Sequence, residues 1–357
     1  MASLLAAYAL VAALATVPLV RWTASWPRRR ALLFALVVLT VSQLISALAP
    51  SFAVLAAGRM LSALTHGLMW SVIAPIGARL VPATHAARAT TVIYVGSALA
   101  LIVGSPLSAV LSGIWGWRAA VVVLAAAAAA LTVAAWIVLP LMAMPAAVSH
   151  ADDAGPRESV RRRWHTDGGL LGMCGLTLIG VTGHFISYSF LAVIITNLGG
   201  SNTLALGGLL AGYGGAGLVA MAGLAGPGDR HPQATVVGCL AVLTVVFVIL
   251  AVVSGHGPVG AVGFGIGVAS LLAWGATAAA VPPLLQAGAM RHAPQDPDWA
   301  SGLYVTAFQV GIATGASLGG VLYSHFGVPV MLATSAVFIG VVLVAAALRP
   351  ELFATVR

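Results

Sequence analysis

Eleven long apolar runs divide this 357-residue sequence, at about 3–20, 31–49, 53–78, 90–112, 119–142, 169–196, 204–226, 235–255, 259–285, 301–324 and 329–348. A bilayer core roughly 30 Å thick takes around 20 apolar residues per helix. No run alternates apolar and polar residues as a membrane barrel strand would. Lipid offers the backbone no hydrogen-bond partners, so each run has to satisfy itself as a helix. The expected fold class is therefore an all-α membrane protein with eleven transmembrane helices. Composition agrees, because only 7% of residues are charged and mean hydropathy is +1.05. A water-facing surface needs roughly 25% charged residues.

The charges then orient the helices. All sixteen basic residues are arginine. If the first run enters from outside, fourteen fall on cytoplasmic segments, among them Arg21, Arg28, Arg79, Arg88, Arg230 and Arg291. Only Arg118 falls outside, and Arg59 lies within a run. The positive-inside rule thus predicts an external N-terminus and a cytoplasmic C-terminus in the cell (inner or plasma) membrane. The arginines are scattered between apolar runs, which argues against a nucleic-acid face. The charges also follow the first run instead of preceding it, against a signal peptide. Cys174 and Cys239 sit inside apolar runs without metal-ligand or disulfide spacing, and no cofactor is implied. The polar segment 143–168 separates 1–142, with five runs, from 169–357, with six, and reads as a cytoplasmic linker between two bundles.

The two parts repeat one another. Tyr8 precedes Pro27 by the same nineteen residues that separate Tyr213 from Pro232. Trp70 corresponds to Trp274, and Tyr94-Val95 to Tyr304-Val305. Such internal symmetry is common in transporters. GLAGPGDRHP at 223–232 looks like a loop signature of the major facilitator superfamily, and PLVRWTASWPRRR at 18–30 is a degenerate copy without the usual Asp. GRMLSALTHG at 58–67 is similar to that family's arginine motif, and Gly96, Gly104 and Pro106 partly match its antiporter motif. The chain resembles the drug- and sugar-efflux proton antiporters of that superfamily over essentially its whole length.

The resemblance implies a two-bundle, major-facilitator-like fold. It implies proton-coupled efflux of a small organic solute by alternating access, with protons and the bilayer as further partners and a monomer as the working unit. Aligned in this way, Met1 falls where the family's second helix begins, so the expectation is a chain without the family's first helix. An uptake permease and a truncated remnant that does not transport remain open beside it. An enzyme is not expected: no HExxH or GxSxG motif is present, and no carboxylate cluster lies within a run.

Ionisable residues inside membrane spans are functional candidates by default. Here they are Arg59, His66 and His184, with every acid assigned to a loop or tail. Arg59, Ser62, His66 and Trp70 recur at three- and four-residue spacing and so share one helix face. His184 and Tyr188 lie one turn apart. The family resemblance brings the third, sixth and ninth runs to a central cavity, which makes His66, Trp70, His184, Tyr188 and Trp274 candidate solute contacts. Arg59, His66 and His184 become candidate coupling residues, since histidine titrates near neutrality. By the same resemblance Arg28, Asp229 and Arg230 belong to a cytoplasmic gate. A snorkelling Arg59, structural histidines and a solvated GDR turn are the plainer alternatives. GYGGAG at 212–217 matches a nucleotide-binding pattern but lies within an apolar run with no preceding strand. Glycine pairs four apart, as in Gly311, Gly315 and Gly319, need only let helices approach closely.

Overall fold

A computed structural model describes residues 2–139, 168–199, 203–255 and 260–354. Nearly all of the expected 143–168 linker lies outside the described residues. The described chain is helical: α1 (Ala2–Trp22), α2 (Arg28–Ala47), α3 (Phe52–Arg79), α4 (Ala86–Leu99), α5 (Ser105–Trp115), α6 (Trp117–Val138), α7 (Gly168–Tyr188), α8 (Leu191–Asn197), α9 (Thr203–Arg230), α10 (Pro232–Gly255), α11 (Ala261–Arg291) and α12 (Pro297–Leu348). No strand occurs among the described residues.

Nine of these stretches are long and apolar enough to cross a membrane, and Tyr8–Trp22 is a shorter apolar helix. The 52-residue α12 supplies two of the eleven spans, because Gly327 breaks it with φ 77° and ψ −174°. Only glycine reaches that backbone region cheaply, and Pro329 suits the opening turn of the next helix. Gly116, with φ 83° and ψ 159°, makes the equivalent break between α5 and α6. The internal repeat thus extends to a matching hinge in each half.

Two runs expected to be continuous are interrupted. The fourth passes through a π-helical stretch at Ala100–Gly104 before α5 resumes. Pro106, at the start of α5, has no N–H to give, so one helical rung is lost there and the register widens. The sixth pauses between Tyr188 and Leu191, and α8 then ends at Gly199, whose φ of 105° stops the helix. The tenth span starts earlier than its apolar run. Asp296 caps it by accepting from the Trp299 N–H at 3.2 Å, and Pro297 occupies the first turn.

Helix packing is closest where glycines face backbone. A Cβ on Gly315 or Gly319 would lie 2.5 Å from the Thr182 carbonyl oxygen or 2.3 Å from that of Ile186. That fit presses α12 onto α7 without room for rotation. Gly275 of α11 meets the Tyr213 carbonyl of α9 in the same way. A large apolar core joins α7–α12, and a smaller one, around Leu68 and Val72, joins α1–α3. Large side chains such as Leu14, Val138, Val219 and Val262 lie exposed around the outside. In water such a belt would be a liability, and against lipid it is the expected surface.

Arg28, Arg79 and Arg88 lie at one arginine-rich end of the helices, where they make the described ion pairs between the two halves. At the opposite end Arg118 donates to the carbonyl of Ala49, just beyond α2, at 2.7 Å.

Candidate functional site

Between α1–α5 and α7–α12 lies a cavity of about 370 Å³. Its wall is aromatic and aliphatic, with few polar atoms. No Arg, Asp or Glu is among its described lining residues. On the first-half wall, His66, Trp70 and Tyr94 form a chain of rings, with successive centroids 6.4 and 5.1 Å apart, and Tyr8, outside the lining, lies 5.6 Å from His66. On the second-half wall, His184 stacks on Tyr188 at 5.0 Å, and its Nε2 lies 3.5 Å from the Tyr213 hydroxyl. Tyr94 and Tyr304, repeat partners in sequence, lie close to each other at the junction of the two walls. The Tyr304 hydroxyl also donates to the Pro282 carbonyl at 2.8 Å.

His66, Trp70, His184 and Tyr188 therefore line one cavity, as their helix faces suggested. Trp274 does not reach it. The ring is fully buried one layer behind, packed edge-on against His184 and Tyr213 and against Phe247. It shapes the wall through His184 instead of forming it. Arg59, two turns from His66, is exposed and lies outside the lining, within electrostatic range of Tyr8. Gly96 is exposed with open space around it, and Gly104 closes the π-helical stretch just before Pro106.

The arginine-rich end is closed by two charge clusters that join the halves. In one, Asp229 accepts from the Ala87 N–H at 2.9 Å, capping the first turn of α4, and lies 3.3 Å from Arg88 Nε. Arg291 sits near enough to feel the Asp229 charge. In the other, Asp298 Oδ2 is 2.8 Å from Arg28 Nε and 2.7 Å from Arg79 Nη2. The Asp298 and Arg28 side chains are 3% and 5% exposed, so this is a buried pair. Arg230 is exposed.

The repeat relates the two clusters. Arg28 opens α2 just after α1, and Asp229 sits in the last turn of α9, the repeat counterpart of α1. Arg79 ends α3 and Arg291 ends α11, while Arg88 and Asp298 lie in the first turns of α4 and α12. Each cluster has two arginines and one aspartate, but the acid sits on opposite partners. The apolar runs put Asp298 in a loop, whereas the structure places it buried in the first turn of α12. The signal was available: Asp-Pro-Asp marks a helix start, and the Tyr94/Tyr304 offset pairs Arg88 with Asp298.

A membrane-embedded helical protein with a cavity between two related halves, latched at one end by ion pairs, has the form of a solute transporter. The family model for the major facilitator superfamily matches residues 1–298. A chloramphenicol efflux pump of Mycobacterium tuberculosis is 51% identical over 352 residues, covering 98% of this chain and 83% of the relative. Among solved structures, the Escherichia coli fucose:proton symporter FucP aligns with TM-score 0.74 at 14% identity, over 98% of this chain and 90% of its own. The human organic anion transporter MFSD10 aligns with TM-score 0.73 at 19% identity, over 97% and 83%. The chain belongs to the major facilitator superfamily, and it is a multi-pass membrane transporter of small molecules.

Proposed function

We propose that this protein exports a neutral, aromatic organic solute in exchange for protons. The carrying observation is the cavity wall, whose described residues offer rings, a few hydroxyls and the Gln309 amide but no Arg, Asp or Glu. A cationic solute would leave its charge without a counter-ion in a low-dielectric site, and an anionic one would lack an arginine there. Chloramphenicol, the solute in the name of the 51% identical relative, is a neutral aromatic molecule of this kind.

Alternating access follows from rocking of the 1–142 and 169–357 bundles about the cavity. The arginine-rich end, latched in this state, is cytoplasmic, with the N-terminus outside and the C-terminus inside the cell membrane, and the monomer is the transporting unit. Arg28 and Asp229 work as gate residues in the two latches, with Arg230 beside them. His66 and His184 carry the exchanged proton, because no carboxylate lines the cavity among the described residues and histidine titrates near neutrality. Arg59 tunes that proton from the open side of α3.

Expression in a chloramphenicol-susceptible bacterium lacking its own exporters tests this reading. Labelled drug should accumulate less than in control cells, and a protonophore should restore accumulation. Equal accumulation with and without the protein would sink the proposal, and increased accumulation would make it an uptake permease. A cysteine at exposed Ser25 should resist impermeant thiol reagents in intact cells, and labelling there would overturn the orientation.

A further inference from the structure

α12 brings to the cavity a polar side chain that the fold leaves without a partner. Gln309 is 4% exposed, yet it lines the cavity and makes no side-chain hydrogen bond among the described residues. Two other polar groups on the wall already have protein partners. Thr177 donates to the Met173 carbonyl at 2.8 Å, and Tyr304 donates to that of Pro282. A primary amide can make up to four hydrogen bonds, and buried polar groups that make none are rare. The partners missing from the protein must therefore come from whatever fills the cavity.

The direction of Gln309 is held from behind. Val305, four residues earlier, and Ile312, three later, line the cavity on the same face. On the other face, a Cβ on Gly311 would lie 2.8 Å from Val181 Cβ and 3.0 Å from the Leu178 carbonyl, continuing the contact made by Gly315 and Gly319. With α12 pinned on α7 along this line, rotating Gln309 out of the cavity would separate the two helices.

We propose that Gln309 is the specificity-determining residue of the cavity, and that it recognises an uncharged hydrogen-bonding group, such as a hydroxyl or an amide, on an aromatic solute. An amide both donates and accepts without demanding charge, which suits a wall that has none. A solute lacking such a group would leave the amide unpaired, and sites of that kind discriminate strongly. The choice of solute rests on the efflux reading above.

Equilibrium binding to the purified chain, followed by tryptophan quenching, tests the assignment with chloramphenicol and with pyrene, an aromatic that has no polar group. Gln309→Leu and Gln309→Met should each weaken chloramphenicol binding at least ~10-fold and leave pyrene within about twofold. Unchanged chloramphenicol affinity, or equal loss of both ligands in both variants, would overturn the role. In a Cys174→Ala, Cys239→Ala background, Gln309→Cys should react with N-ethylmaleimide and be protected by pyrene. An unreactive thiol would also overturn it. Failure of the wild type to bind chloramphenicol would count against the efflux reading instead, and the labelling arm then decides Gln309 independently.

Discussion

Replacing Asp298 by Asn should open the arginine-rich end. Asp298 neutralises Arg28, whose side chain is 5% exposed, and Arg79, which is about one-fifth exposed. Removing one partner of a buried ion pair costs roughly 3–5 kcal/mol, because the remaining charge stays desolvated. The partial exposure of Arg79 argues for the lower figure. That cost falls mainly on the latched state, since separating the halves at this end lets water reach Arg28. A penalty of about 3 kcal/mol changes the ratio of latched to open populations more than a hundredfold. Spin labels at exposed Ser25 and Gln295, in a chain with both native cysteines replaced, would report this as a shift from a short to a long distance. The paired exchange Arg28→Asp, Asp298→Arg should restore the short distance, because it reproduces the polarity of the Asp229–Arg88 latch. An unchanged distance distribution in Asp298→Asn would refute the reasoning.

Gly319→Ala should lower the thermal unfolding midpoint, because the new Cβ meets the Ile186 carbonyl at 2.3 Å and overpacking typically costs about 1–3 kcal/mol. Gly320→Ala, with nothing within 4 Å, is the control and should leave the midpoint in place. Arg59→Ala should abolish transport in a protein that still inserts and elutes normally, and Arg59→Lys should be impaired because an ammonium lacks the planar fork. Wild-type flux in either would reduce Arg59 to a snorkelling residue. In proteoliposomes, the double variant His66→Asn, His184→Asn should lose solute flux driven by a pH gradient while still binding solute. Persistent gradient-driven flux would remove the histidines from coupling.

The spans were legible because lipid admits only long apolar helices, and length and periodicity record that requirement directly. The two-part repeat was legible for a related reason, since Tyr94 and Tyr304 now meet at the junction they were matched across. What escaped was depth. Helical spacing put Trp274 on the same side as the cavity, but periodicity cannot distinguish a wall from the layer behind it. Gln309 was not legible because an amide in an apolar run carries no charge, and charge is what marks a functional residue within a span. Asp298 escaped because acids were assigned by the gaps between apolar runs, whereas a capped helix begins before its apolar stretch does. The π-helical stretch before Pro106 and the left-handed glycines at 116 and 327 depend on backbone angles that hydropathy does not encode.

The opposite polarity of the two latches bears on how the repeat can be recognised at all. Coulomb attraction depends on the product of two charges, and that product is unchanged when both signs reverse. A duplicated latch can therefore exchange acid for base on both partners and keep its strength, provided both sites change together. Comparing the two halves position by position would score Arg88 against Asp298 as opposites, and at the Pro27/Pro232 offset it would set Arg28 against Gln233 and miss Asp229. Only comparison of pairs would recognise them as equivalent. The ancestry of this closure is written in the couplings between positions, where matching individual residues would find disagreement.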